Sequence, residues 1–383
     1  MGKTKTISAI DVGSAKVCTL VAEMSNDGQM RIAGVGIVPS KGMHKGTIIN
    51  INEAEESVRE SIKIAEQSSG YKVESAYVGV TGHHISGRNV KGVVAITRDH
   101  MIRPDDVRRV LQIAQVSKIG MNQKILHVIP RHYSVDDQEG VQNPVGMHGF
   151  KLDAEAHVIT AEVSSVQDLV KCIRGVQVDV EDLIFEGLAS SEACLTEDDK
   201  QIGTILADIG SGITDISVFK DGSIWHTAVI PVGGHQVTED IAIGLSIPFD
   251  VAEETKKKYG SVFLVDDGKT DNDSIVMNGH NISYQKLCDI IRARVEELLR
   301  LIIIDLPRDE KGVLVPGGLV LTGGSSNLAG IDALGREVLK IPVRVSAPSN
   351  VYGAGDQLND PAYSTALGLL IWGMKPRSNA KVK

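Results

Sequence analysis

The chain has 383 residues, 42 % hydrophobic and 23 % charged, a globular balance that excludes disorder and fibrous architectures and leaves room for two or three packed units. Forty basic against 49 acidic residues give a net charge of −9, and aromatics stand at 4 %. That combination argues against a dedicated nucleic-acid binder, whose affinity rests on neutralised phosphates and stacked bases. Cys18, Cys172, Cys194 and Cys288 form no CxxC pair, so neither a structural zinc site nor a disulfide framework is expected, and a reducing cytoplasm fits. Apolar stretches such as 301–304 fall far short of a bilayer span.

The first element, I-D-V-G-S-A-K-V-C-T-L-V over 10–21, reads as strand, glycine-bearing turn and strand, continuing to the turn Asn26-Asp27-Gly28. A helix is expected over 53–67, a strand over Ser75–Val80 and a helix over 104–117, with Pro104 at its start and Val107, Val110, Leu111 and Ala114 on one face. Helices at 166–176 and 183–195 follow. Then A-D-I-G-S-G-I-T-D-I-S-V at 207–218 repeats the first element and runs to the turn Asp221-Gly222. Helices at 237–244 and 251–259, a polar loop at 266–281 and a long helix at 284–306 come next. The last has Leu287, Ile290, Ile291, Leu298 and Leu299 at helical spacing. The apolar run 318–321 opens onto L-T-G-G-S-S-N-L at 321–328.

Superposing the two repeats puts Asp11 on Asp208, Gly13 on Gly210 and Ser14 on Ser211. A turn of this kind exposes N–H groups as an anion-binding nest, and glycine admits an anion without a Cβ clash. Two such hairpins face to face would clamp a triphosphate, with the amides of Gly13, Ser14, Gly210, Ser211 and Gly212 as the cradle. Lys16 would set an ammonium against the β- and γ-phosphates, and Thr214 would hydrogen-bond near them. Asp11 and Asp208 would hold magnesium through water, since this ion keeps much of its hydration. No GxxxxGK[ST] and no GxGxxG opening a helix is present. His83 and His84 are neighbours, would face opposite sides of a strand, and read as surface residues.

These elements resemble the actin/chaperone-type ATPases, and the chain is similar in particular to the FtsA family of bacterial cell-division proteins. V-G-V-T-G-H-H-I at 78–85 resembles the entry into that family's inserted subdomain, 1C. L-H-V-I-P-R-H-Y-S-V-D at 126–136 and N-P-V-G-M at 143–147 resemble its body. L-A-S-S-E-A-C-L-T-E-D at 188–198 resembles the helix before the second hairpin, and P-A-Y-S-T-A-L-G-L-L at 361–370 the closing helix. The resemblance runs from about residue 5 to 373.

It implies an α/β, actin-like two-lobe fold, a duplicated ribonuclease-H-like core with an inserted 1C subdomain. Residues 1–82, 166–200 and 357–374 would form the first core lobe (1A), 83–165 the insert, 201–230 with 311–356 the second lobe (2A), and 231–310 subdomain 2B. ATP and magnesium are the implied ligands. Gly323, Gly324 and Ser325 would lie against adenosine, Gly233 and Gly234 would form a further turn near the nucleotide, and Glu253 and Lys256, in an AExxK pattern, would contact ribose and adenine. Glu186 sits where actin-like ATPases orient the hydrolytic water. The FtsA family does not reliably carry a carboxylate or amide there, so hydrolysis is left open as slow or absent.

The implied role is an ATP-binding polymer that binds the C-terminal peptide of the tubulin-like FtsZ through 2B, recruits other division proteins through 1C, and tethers the ring at the cytoplasmic face of the inner membrane. A pilus-assembly actin homologue and a small-molecule kinase of the same superfamily are the alternatives. In the stretch 375–383 only Ala380 and Val382 are apolar beyond Pro376, so it reads as a solvated, disordered tail without an amphipathic face. Membrane contact is therefore expected only where a C-terminal helix is present in a longer parent.

Overall fold

The computed structural model describes residues 5–25, 29–116, 120–264, 274–306, 315–348, 352–353 and 358–375. The turn Asn26-Asp27-Gly28, part of the expected polar loop (266–273) and the tail 376–383 lie outside the described residues. Three strands open the chain, β1 (Lys5–Val12), β2 (Lys16–Met24) and β3 (Met30–Pro39), followed by the short ladder β4 (Met43–His44) and β5 (Thr47–Ile48). Helix α1 (Ile51–Ser69) begins at Asn50, whose side chain accepts the Glu53 N–H, and stops at Gly70 with φ 74°. Strand β6 (Ser75–Val80) then pairs parallel to β1.

An insert follows: β7 (Ser86–Ala95), α2 (Pro104–Val116), β8 (Gln123–Val135), β9 (Gln138–Val141) and β10 (Lys151–Glu162), in a sheet ordered β7-β10-β8-β9. Val110, Leu111, Leu152 and Ala154 fill the space between its helix and its sheet. The chain returns through α3 (Val163–Gly175), β11 (Asp179–Phe185), α4 (Glu186–Cys194) and α5 (Glu197–Ile202). The helix expected over 183–195 is thus a strand to Phe185 and a helix from Glu186 onward. The apolar run L-I-F serves a buried parallel strand as well as a helix, and periodicity cannot separate the two.

The second half has β12 (Thr204–Ile209), β13 (Thr214–Lys220), β14 (Ser223–Ile230), α6 (Gly234–Leu245), α7 (Phe249–Tyr259), the pair β15 (Ser274–Met277) and β16 (His280–Ser283), and α8 (Tyr284–Ile304). It closes with β17 (Leu319–Thr322), α9 (Ile331–Leu339), β18 (Val343–Val345) and α10 (Ser364–Met374). The end of the expected polar loop is therefore a hairpin, turned by Asn278 and Gly279 at φ 47° and 82°, a geometry that Asn-Gly favours.

The two large sheets are copies of one plan. One is ordered β3-β2-β1-β6-β11 and the other β14-β13-β12-β17-β18. In each, the second strand alone runs antiparallel to the rest. The central strands are buried on both faces (Ala9, Ile10, Ile205 and Leu206 at 0 % exposure), as helix-covered sheets require. Helix α10 returns to the first sheet and crosses α4, where a Cβ on Gly368 would lie 1.8 Å from the Ala189 carbonyl oxygen. The insert also reaches the second sheet: His157 sits between Asn89 Oδ1 (2.7 Å) and Thr227 Oγ1 (2.9 Å), and Arg131 stacks on Trp225 at 3.8 Å. No helix among the described residues is long and apolar enough to cross a membrane.

Candidate functional site

The two repeats meet as two turns closed in the same way. After β1 the Gly13 N–H donates to the Lys16 carbonyl (3.0 Å), and after β12 the Gly210 N–H donates to that of Ile213 (2.9 Å). The turns oppose each other across the sheets, for a Cβ on Gly212 would lie 3.0 Å from Ser14 Oγ. Ser14 Oγ itself accepts the Gly46 N–H at 3.1 Å. Because Gly13 and Gly210 close their own turns, donors for an anion must come from the residues that follow them.

Between the turns lies a cavity of about 500 Å³. Asp11, Gly13, Ser14 and Lys16 line it from one side, and Asp208, Gly210, Ser211 and Gly212 from the other. Gly234, Glu253 and Lys256 form one end, Gly323, Gly324 and Ser325 an adjoining wall, and Glu186 part of the floor. Thr214 and Gly233 do not reach the cavity. Thr214 is fully buried and its hydroxyl donates to the Val232 carbonyl (2.8 Å). Gly233 backs the second turn, where a Cβ would lie 2.6 Å from the Ser211 carbonyl oxygen. A larger groove of about 850 Å³ between α3, β8 and β11 holds none of the residues singled out in the sequence.

The floor is a cluster of buried acids. Burial pushes Asp11 up to about 6, with Lys16 opposing and Asp208 adding to the rise. Asp208 is raised by burial against the hydroxyls of Thr365 and Ser190 and the charge of Lys16, and its Oδ2 accepts from Thr365 at 2.8 Å. Glu186, the first residue of α4, is held well above the carboxylate range by burial and by the charges of Asp11, Asp215 and Asp208. Asp215, which sequence reasoning passed over as a strand residue, is also raised by burial and accepts from the Thr81 hydroxyl. Lys16 is the cation set against Asp11, Asp208 and Glu186. Among the described residues no three His, Cys, Asp or Glu side chains converge to hold a metal ion by themselves.

The opposite end is organised by Lys256. Its Nζ lies 2.7 Å from Glu253 Oε2 and donates to the Gly234 carbonyl (2.8 Å) and Thr238 Oγ1 (2.6 Å). Ser325 Oγ donates to the Gly210 carbonyl at 2.9 Å, tying this wall to the second turn. Gly323 has φ 84°, and a Cβ there would stand 2.3 Å from Asp208 Oδ1, so both its conformation and its place require glycine. His83 is exposed as expected. His84 is not a surface residue, being 7 % exposed in the turn after β6.

The family model for cell division protein FtsA matches residues 205–368, and that for the SHS2 domain inserted in FTSA matches 82–160. Over 379 residues the chain is 41 % identical to cell division protein FtsA of Pseudomonas aeruginosa, covering 98 % of this chain and 91 % of that one. The chain belongs to the FtsA family of cell division proteins. The FtsA of Escherichia coli K12 is 35 % identical over 390 residues, covering 99 % of this chain and 93 % of its own.

Solved structures place this FtsA-family chain in the actin-like fold. A PilM–PilN type IV pilus biogenesis complex matches with a TM-score of 0.66 at 17 % identity, covering 97 % of this chain and 99 % of that one. MreB5 of Spiroplasma citri, bound to ADP, matches with a TM-score of 0.56 at 13 % identity, covering 96 % of each. At these identities the likeness speaks for the fold alone. The α/β, two-lobe, duplicated architecture with an inserted domain is the one the sequence resemblance implies.

Proposed function

We propose that this chain binds ATP in the cavity between the two turns and works as an actin-like scaffold of cell division. The observation that carries the reading is the opposition of two Gly-Ser turns closed by the same backbone bond over about 500 Å³, a volume within the range of small-molecule sites. The phosphates would lie against the turns at residues 13–16 and 210–213. The base and ribose would lie toward Gly323, Gly324, Ser325, Glu253 and Lys256.

Magnesium suits the floor. Asp11 and Asp208 are buried carboxyls in acidic surroundings, and a divalent cation would supply the missing charge. With no closed set of protein ligands, it would be held through water and the phosphates. Bound there, the ion would neutralise phosphate charge. Nucleotide would then favour a closed cleft by differential binding, a population shift that slow or absent hydrolysis would sustain.

The division of labour follows the family. Residues 1–82, 166–200 and 357–374 serve as lobe 1A, 83–165 as 1C, 201–230 with 311–356 as 2A, and 231–310 as 2B. In this reading 2B takes the FtsZ C-terminal peptide, copies of the chain associate into filaments, and 1C recruits further division proteins. The site of action is the cytoplasmic face of the inner membrane wherever a C-terminal anchor is present. The pilus reading has the likeness of fold on its side but not the family match. The kinase reading would need sugar-dependent turnover in a coupled assay.

Saturating MgATP should raise the melting temperature by mass action. Asp11→Ala and Asp208→Ala should each remove most of that rise, and an unchanged rise would refute the nucleotide site. Cross-links from the FtsZ peptide to this chain should fall within 231–310.

A further inference from the structure

His84 poses a problem that the nucleotide cavity does not answer. The ring is 7 % exposed, yet among the described residues neither of its nitrogens has a hydrogen-bond partner, and the buried Thr47 Oγ1 nearby has none either. Leaving a buried polar group bare is unfavourable, and native interiors rarely gather such atoms at one place. His84 and Thr47 both line a small chamber of about 20 Å³, walled also by Thr81, Ser165 and Glu186. One water needs roughly 10–15 Å³ of this kind of volume and two to four polar partners, and the chamber offers both.

The chamber adjoins the nucleotide cavity. Gly46, Thr81 and Glu186 belong to both walls, so the Glu186 carboxyl stands at the partition. Two glycines make room for the Glu186 and His84 side chains. A Cβ on Gly79 would lie 2.9 Å from Glu186 Oε1, and one on Gly82, at φ 134°, would lie 2.7 Å from His84 Nδ1.

We propose that this chamber holds a bound water, and that through it His84 positions the Glu186 carboxyl at the edge of the nucleotide cavity. His84 is then a positioning residue that never touches nucleotide. Burial lowers the pKa of the ring and so favours its neutral form, with His83 reinforcing this and Glu162 opposing it. A neutral imidazole has one donor and one acceptor nitrogen, so it can hold a water in a single orientation. That water in turn gives or takes one hydrogen bond at Glu186. The water site stands without the nucleotide reading; the role assigned to it rests on that reading.

A crystal structure of the full chain without nucleotide, at a resolution that shows ordered water, tests the site. A water within hydrogen-bond reach of both His84 and Glu186 is expected. A dry chamber, or a water touching only one of the two, overturns the proposal.

Single-turnover MgATP cleavage tests the role. His84→Leu should slow it about tenfold or more with MgADP affinity unchanged. His84→Gln, which keeps a donor and an acceptor, should recover most of the rate. Equal losses in both variants, or losses that follow nucleotide affinity, assign His84 to packing and overturn the role. A wild-type chain that never cleaves MgATP also overturns it, while a persisting MgADP melting shift keeps the nucleotide reading intact. Loss of that shift in the wild type refutes the nucleotide reading, and the crystallographic water still decides the site.

Discussion

Gly13-Ser14-Ala15-Lys16 and Gly210-Ser211-Gly212-Ile213 close the same turn at the same point of two equivalent sheets, yet they are equipped differently. The first carries a cation, Lys16, where the second has the buried Ile213. The first has a Cβ at Ala15 where the second has Gly212. The second is instead held from behind: the Gly234 and His235 N–H groups at the start of α6 donate to the Gly210 and Ser211 carbonyls (2.9 and 2.7 Å). Those bonds align the turn's peptide dipoles with the positive end of a helix. One copy offers an anion a side-chain charge, and the other offers a fixed backbone. The first should therefore respond to changes of charge, the second to changes of shape.

Shape should give the largest effect. Gly323→Ala forces a Cβ to 2.3 Å from Asp208 Oδ1 at a φ of 84°, and the strain together with the clash costs roughly 2–4 kcal/mol. We expect a lower melting temperature and no response to MgATP. A variant that melts and responds like the parent would show that the second half is not the rigid one.

Charge should appear in the pH dependence of the first copy. Asp11, raised from 3.8 to about 6, binds a proton in the folded state over a window in which the unfolded chain does not. Its contribution to stability is full below pH 3.8 and is lost as pH rises through about 6. For this buried group the change is on the order of 3 kcal/mol. Asp11→Asn should gain stability relative to the parent on going from pH 4.5 to 7 without ligand. MgATP should raise the melting temperature of the parent more at pH 7 than at 5. Parallel stability curves for parent and variant would remove the acid from the electrostatics of the floor.

Lys16→Met comes next. Losing a charge-assisted contact to phosphate costs about 1.5–3 kcal/mol, so MgATP should bind about ten- to a hundredfold more weakly. Isothermal titration at two salt concentrations would check both the size of the effect and its electrostatic origin.

What the sequence disclosed and what it hid divide along the same line. Asp11, Gly13, Asp208 and Gly210 were legible because duplication prints a local pattern twice. Gly323 was legible because its turn is local too. The partners that hold the acids were not: Thr81 reaches Asp215 and Thr365 reaches Asp208 across 134 and 157 residues, and nothing near either hydroxyl marks its destination. Glu253 and Lys256 came from resemblance, since in composition they are one more charged helix face. His84 looked like its neighbour because adjacency says nothing about burial once the chain is in a turn. The hairpin at β15 and β16 had its signal in Asn278-Gly279, masked by the aspartates before it.

The smallest effect tests whether the fixed half is fixed through its neighbours. Ser325 Oγ donates to the Gly210 carbonyl, joining the wall at 323–325 to the second turn, and a Cβ on Gly234 would lie 2.2 Å from Ser325 Oγ. The hydroxyl is thus packed between the start of α6 and the turn. Ser325→Ala removes one neutral hydrogen bond, worth about 0.5–1.5 kcal/mol, and leaves the Gly210 oxygen with the Gly234 N–H as a second donor. MgATP affinity should fall about two- to tenfold, whereas Ser14→Ala, which frees the Gly46 N–H on the other side, should act mainly on stability. If Ser325→Ala and Ser14→Ala weaken binding equally, the two turns are alike in function, and the contrast between side-chain charge and fixed backbone fails.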